Sequence, residues 1–99
     1  MTSSNQKVTI VLNSHNRPAT LVRILGVIIQ HYENIKILIV DSSELSKRQE
    51  IERFVHQNTD PSFVEINTFS ETTPAFKKLL AAANKATTKY IQYFSDDDA

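Results

Sequence analysis

The sequence predicts an α/β fold, a Rossmann-like doubly wound parallel sheet with the element order βαβαβαβ. Three observations carry this. Four short runs rich in β-branched or aromatic residues, Lys7 to Leu12, Ile35 to Val40, Phe63 to Phe69 and Thr88 to Phe94, have strand length and polar flanks. Three longer segments between them repeat apolar residues at helical spacing. The connections are short, which implies parallel strands joined by right-handed crossovers.

Taken in order, residues 1–6 form a polar leader expected to be disordered. Lys7 to Leu12 is nearly continuous in apolar character, as a strand buried on both faces should be. It ends in Asn13-Ser14-His15-Asn16-Arg17-Pro18, where Pro18 suits a first helical turn and Asn16 or Arg17 would cap it. Leu21, Val22, Leu25, Ile28, Ile29 and Tyr32 then define one apolar helix stripe. Gly26 lies inside that helix, a weakness of about 1 kcal/mol relative to alanine that close packing on the sheet would explain.

Ile35 to Val40 is a second buried strand, running into Asp41-Ser42-Ser43. Ser46 and Gln49 are spaced as a capping box for a second helix, with Ile51, Phe54 and Val55 facing inward. Asp60-Pro61 marks a turn. Phe63 to Phe69 is shorter and more polar, the pattern of an edge strand. Thr72-Thr73-Pro74 opens a third helix whose buried face should be Phe76, Leu79, Leu80 and Ala83. The fourth strand reads as buried and stops in three consecutive carboxylates, Asp96, Asp97 and Asp98.

Composition narrows the function classes. Ninety-nine residues with no internal repeat or linker indicate one domain. Acidic and basic side chains balance at eleven each, so no global field favours nucleic acid. The absence of cysteine excludes disulfides, zinc–thiolate sites and a cysteine nucleophile, and fits a cytoplasmic protein. No apolar run is long enough to span a bilayer. A single glycine rules out a glycine-rich phosphate cradle, so a bound nucleotide would need another device, such as a metal.

In a parallel sheet every strand-to-helix loop emerges at one edge. That edge would gather His15-Asn16-Arg17, Asp41-Ser42-Ser43, Ser70-Glu71-Thr72 and Asp96 to Asp98. With strand order 3-2-1-4, the first and fourth strands are neighbours at the topological switch point, and the His-Asn-Arg turn and the aspartates flank one crevice. Such clustered negative charge needs water or a cation to compensate it. A solvated acidic tail is the plainer alternative.

Three segments resemble the family 2 glycosyltransferases in order and spacing. Val8 to Pro18 looks like the family's opening strand followed by Thr-Tyr-Asn-Arg. Ile37-Leu-Ile-Val-Asp-Ser-Ser43 is similar to its strand ending in Val-Asp-Asp-Gly-Ser. Ala86 to Asp98 resembles its Gly-Glu-Tyr-Ile segment running into the metal-binding Asp-x-Asp motif. The resemblance implies the N-terminal, nucleotide-sugar-binding half of a GT-A fold over residues 7–99, ending after the Asp motif. It implies inverting, metal-assisted transfer of a sugar from a UDP- or GDP-sugar to an acceptor, as in polysaccharide biosynthesis. By position it assigns Asn13, His15, Asn16, Arg17, Asp41, Ser95 and Asp96 to nucleotide binding. Here His15 packs on the base and Asp41 reads its edge. It assigns Asp97, with Asp96 and Asp98, to Mn²⁺ or Mg²⁺, whose hard-oxygen preference suits carboxylates and phosphates.

The sequence departs from that pattern at Ser42 and Ser43, in place of Asp-Gly, and at Ser95 and Thr88-Lys89. A general base for the acceptor is expected beyond Ala99, with Glu65 and Glu71 only distant candidates. His31 and His56 read as surface or packing residues. Lys77 and Lys78 could approach a diphosphate, although a solvated helix face is the simpler reading. The alternative to an enzyme is a non-catalytic α/β nucleotide- or partner-binding module. A domain ending at this point leaves apolar surface uncovered, so self-association is expected.

Overall fold

A computed structural model describes residues 8–31, 35–60, 62–86, 88 and 90–95. Seven elements follow in the predicted order: β1 (Val8–Ser14), α1 (Pro18–His31), β2 (Ile35–Asp41), α2 (Leu45–Asn58), β3 (Val64–Thr68), α3 (Ala75–Lys85) and β4 (Tyr90–Ser95). The strands form one parallel sheet in the order β3-β2-β1-β4, so the chain winds outward from β1, then crosses to its other side. The predicted leader, residues 1–6, lies outside the described residues.

Strand alternation divides the core into two layers. Ile10, Leu12, Ile37, Ile39 and Val64 point to the face covered by α1 and α2, where they pack with Leu21, Leu25, Ile28, Ile51 and Val55. Val11, Leu38 and Val40 point to the other face and meet Ala82, with Leu79, Phe69 and Ile91 partly buried beside them. β1 and β2 are buried on both faces because helices cover both, as their continuous apolar runs require.

Several local expectations are corrected. In α3 the buried residues are Lys78 and Ala82, whereas Phe76 and Leu80 are each 60% exposed and Ala83 is also exposed. The small Ala82 allows close approach to the sheet, and that rotation turns Phe76 and Leu80 to solvent. In α1, Ile29 lies on the exposed flank, and Tyr32 is outside the described residues. Gly26 does not mark close packing, since a Cβ built there meets nothing within 4 Å.

The capping box at Ser46 is absent. α2 starts at Leu45 with Glu44 at its N-cap and no side-chain cap, and the Ser46 hydroxyl donates to Glu44 Oε1 at 2.8 Å. Asn16 does not cap α1 either; its side chain is used across the loop described below. β4 is an edge strand rather than a buried one, exposing Tyr90, Tyr93 and Phe94. β3 is the other edge, as its polarity indicated.

Candidate functional site

The carboxyl ends of β1, β2 and β3, with the turns that follow them, form one polar surface. β1 is central: Ser14 is paired with Asp41 of β2, and Asn13 with Ser95 of β4. The switch point therefore lies at Asn13–Ser14, where the sequence predicts the crevice.

The first two loops are stapled to each other. Asn16 adopts a left-handed backbone, φ 58°, a conformation asparagine tolerates better than most residues. Its backbone N–H donates to Ser43 Oγ at 2.8 Å, and its Oδ1 accepts the N–H of Glu44 at 2.8 Å. The Ser43 hydroxyl in turn donates a hydrogen bond to Asp41 Oδ1 at 2.5 Å. His15 Nδ1 lies 3.0 Å from the Ser42 carbonyl oxygen, which can only accept, so this contact places the proton on Nδ1. Asn16 Nδ2, 3.3 Å from Nε2, then donates to the other ring nitrogen. Turn geometry, rather than helix capping, accounts for Asn16.

Asp41, which the resemblance assigns to reading the base edge, is fully buried. Besides Ser43, its neighbour is Arg48 from the first turns of α2, with Nε 3.5 Å from Oδ2. Neither of those two atoms makes a hydrogen bond, so the contact is an ion pair without hydrogen-bond alignment. The guanidinium instead donates through Nη2 to the Phe69 carbonyl at 2.7 Å and more weakly to that of Ser43 at 3.3 Å. Arg48 thus ties the end of β3 to the loop after β2. The signal available in the sequence is its position on the helix: the half-buried Arg48 lies in line with the buried Ile51 and Val55 at helical spacing, and a cation there must seek polar groups.

Lys78 corrects the solvated-face reading. It is 2% exposed, and its Nζ donates to the Ser14 carbonyl at 3.1 Å and to Ser42 Oγ at 2.7 Å. The Ser14 carbonyl also accepts the Ser42 N–H at 3.0 Å, using both lone pairs. A buried ammonium therefore sits under the switch point, brought there by the phase of α3. Beside it, Asn13 Oδ1 and Ser14 Oγ are buried and meet no hydrogen-bond partner among the described residues. Buried polar atoms left in this way are uncommon.

Other predicted residues fall as follows. Arg17 is exposed, and its carbonyl accepts the Leu21 N–H that starts α1. Ser95 ends β4 beside Asn13. The metal ligands predicted from sequence, Asp96, Asp97 and Asp98, lie outside the described residues; among the described ones no group of three His, Asp or Glu converges. Glu65 lies mid-strand in β3 and pairs with Lys36 and Lys85 rather than reaching this edge. Glu71 is exposed in the turn after β3, and His31 and His56 are exposed helix residues. A groove of about 320 Å³ bounded by Glu52, His56 and Ile66 lies between α2 and β3, away from the switch point. No described helix is long and apolar enough to cross a membrane.

In comparisons with known proteins, no family model and no curated protein matches this chain.

Proposed function

We propose that this chain is the donor-binding portion of a glycosyltransferase similar to family 2, holding a UDP- or GDP-sugar at the carboxyl edge of its sheet. The observation that carries the reading is the polar floor at the switch point. A buried ammonium, Lys78, lies there with Asn13 Oδ1 and Ser14 Oγ, which have no hydrogen-bond partner among the described residues, beside the strand whose sequence continues into Asp96 to Asp98. Open parallel sheets bind nucleotides at this place. A chain with a single glycine must neutralise phosphate by cations rather than by a glycine-rich loop.

In this reading Asp97, supported by Asp96 and Asp98, holds Mn²⁺ or Mg²⁺, which when bound stabilises the departing nucleotide diphosphate as a Lewis acid. Lys78 adds positive charge from below. The exposed ring of His15, oriented by Ser42 and Asn16, supplies a surface for the base. No residue is assigned as the acceptor's general base.

Calorimetric titration of UDP and GDP, with and without Mn²⁺, tests this. Binding should require the metal and weaken at least tenfold in Asp97→Ala. Absent or metal-independent binding would sink the reading.

One observation favours a second reading, a non-catalytic binding module. Asp41 is closed off by Ser43 and Arg48, so it can meet a base only if Ser43 turns away. Asp41→Asn separates the two: a changed UDP-to-GDP preference supports base readout, whereas a loss of stability with unchanged preference supports the module.

A further inference from the structure

Among the described residues, β4 lacks the devices that keep edge strands apart. Among the described residues only its β1 side is paired, and Tyr90-Ile-Gln-Tyr-Phe-Ser95 holds neither charge nor proline. Natural edges are blunted by charged residues, prolines or bulges. The opposite edge obeys that rule, since β3 carries the charged Glu65, paired with Lys36 and Lys85. β4 instead exposes rings: Tyr90 is 56%, Tyr93 42% and Phe94 36% accessible.

We propose that β4 pairs antiparallel with β4 of a second copy, about a twofold axis normal to the sheet at Gln92, making one continuous sheet. The strand's own sequence selects this occupant. Register with β1 puts Tyr90, Gln92 and Phe94 on the α1/α2 face and Ile91 and Tyr93 on the α3 face. Centred on Gln92, each Tyr90 faces Phe94 of the other copy on one face, and each Ile91 faces Tyr93 on the other. Aromatic–aromatic and aromatic–β-branched pairs are favoured cross-strand partners. Gln92 meets its own copy, and its amide can both donate and accept. A register centred on Tyr93 would set Phe94 against Gln92 and Ile91 against Ser95, losing both apolar pairs. A formal net charge of zero adds no repulsion between copies. Six residues make an interface smaller than the roughly 800 Å² per partner of a standard one, so the dimer should dissociate on dilution.

The absence of cysteine makes the test direct. Opposed residues of an antiparallel pair have Cα atoms about 4.5–5.5 Å apart, within disulfide reach. Gln92→Cys should therefore form a disulfide dimer under mild oxidation. Leu80→Cys, on the exposed side of α3, should remain largely monomeric. By sedimentation equilibrium the parent chain should show a monomer–dimer equilibrium, abolished in Tyr93→Lys and retained in Leu80→Ser, each checked for folding by circular dichroism. A chain monomeric throughout the concentration series, or one that grows without limit, overturns the proposal. So does cross-linking of Leu80→Cys as fast as Gln92→Cys, or loss of the dimer in Leu80→Ser alone.

Discussion

Replacing Arg48 with methionine should destabilise the fold by about 3 kcal/mol, a large effect for a surface-adjacent helix residue. Methionine keeps an apolar stem of comparable length, so packing is largely preserved and the guanidinium is what is lost. Three contacts disappear. The Nη2 bond to the Phe69 carbonyl, 2.7 Å long, has a charged donor and contributes roughly 1.5 kcal/mol. The Ser43 contact at 3.3 Å is weak, about 0.5 kcal/mol. The remainder is the ion pair. Leaving a buried carboxylate without its cation typically costs about 3–5 kcal/mol. The Arg48 side chain keeps 24% exposure and its Nε lies 3.5 Å from Asp41 without a hydrogen bond, so about 1 kcal/mol is the appropriate share.

Urea denaturation measures this as a midpoint lower by about 1–3 M at an unchanged m-value. The mechanism is tested by a cycle with Asp41→Asn. If the pair is coupled, that substitution should be at least about 1 kcal/mol less harmful in the Arg48→Met background than in the parent. An Arg48→Met penalty under 1 kcal/mol, or additivity within about 0.5 kcal/mol, would refute the reasoning. Amide exchange at Ser43 and Glu44 should quicken in Arg48→Met, because the loop it braces is the one stapled to Asn16.

Three further outcomes follow from individual residues. Gly26→Ala should stabilise by about 0.5–1 kcal/mol in thermal unfolding, since the site is helix interior and an added methyl meets nothing. Asn16→Gly keeps the left-handed backbone free of strain but loses the bond to Glu44, whereas Asn16→Ala loses the bond and adds strain; alanine should therefore be the worse by about 1 kcal/mol in chemical denaturation. The Glu65 carboxyl is held below the ordinary glutamate range, chiefly by its hydrogen bond to Lys85, with burial opposing. Its contribution is thus present above that range and lost as pH falls through the folded-state value. With a third of the side chain exposed, Glu65→Gln should cost under about 1 kcal/mol at pH 7 and progressively less as the pH is lowered, compared by urea unfolding.

The topology was legible because the signals that set it are long-range and redundant. Two continuous apolar strands had to be central, a polar one had to be an edge, and short connections left few windings. What the sequence hid was rotational phase. Phe76, Leu79, Leu80 and Ala83 form a plausible stripe, yet α3 packs through Ala82 and Lys78, about half a turn away from Phe76 and Leu80. Hydrophobicity alone could not reveal this, because a lysine reaching the Ser14 carbonyl and the Ser42 hydroxyl gains hydrogen bonds that the apolar pattern does not encode. The aromatic residues of β4 misled in the same way: strand propensity was right, while burial depends on a second neighbour. The strand order places the three predicted strand-end loops on one edge, but the partners of Asp41 depend on Arg48, which lies on another element.

The same partners give Ser42 and Ser43 distinct structural roles. A second aspartate at Ser42 would place a carboxylate beside Lys78 Nζ and alter the charge under the switch point, whereas the Ser42 hydroxyl accepts a hydrogen bond from the ammonium without adding charge. A glycine at Ser43 would remove the hydroxyl that joins Asn16 to Asp41, and with it the link between the first two loops. Both serines are thus tied to specific partners, Lys78 below and Asn16 beside. The Ser43 hydroxyl couples the first two loops. Ser43→Gly should then uncouple them, raising exchange at the Asn16 amide while leaving the Lys78 contacts intact.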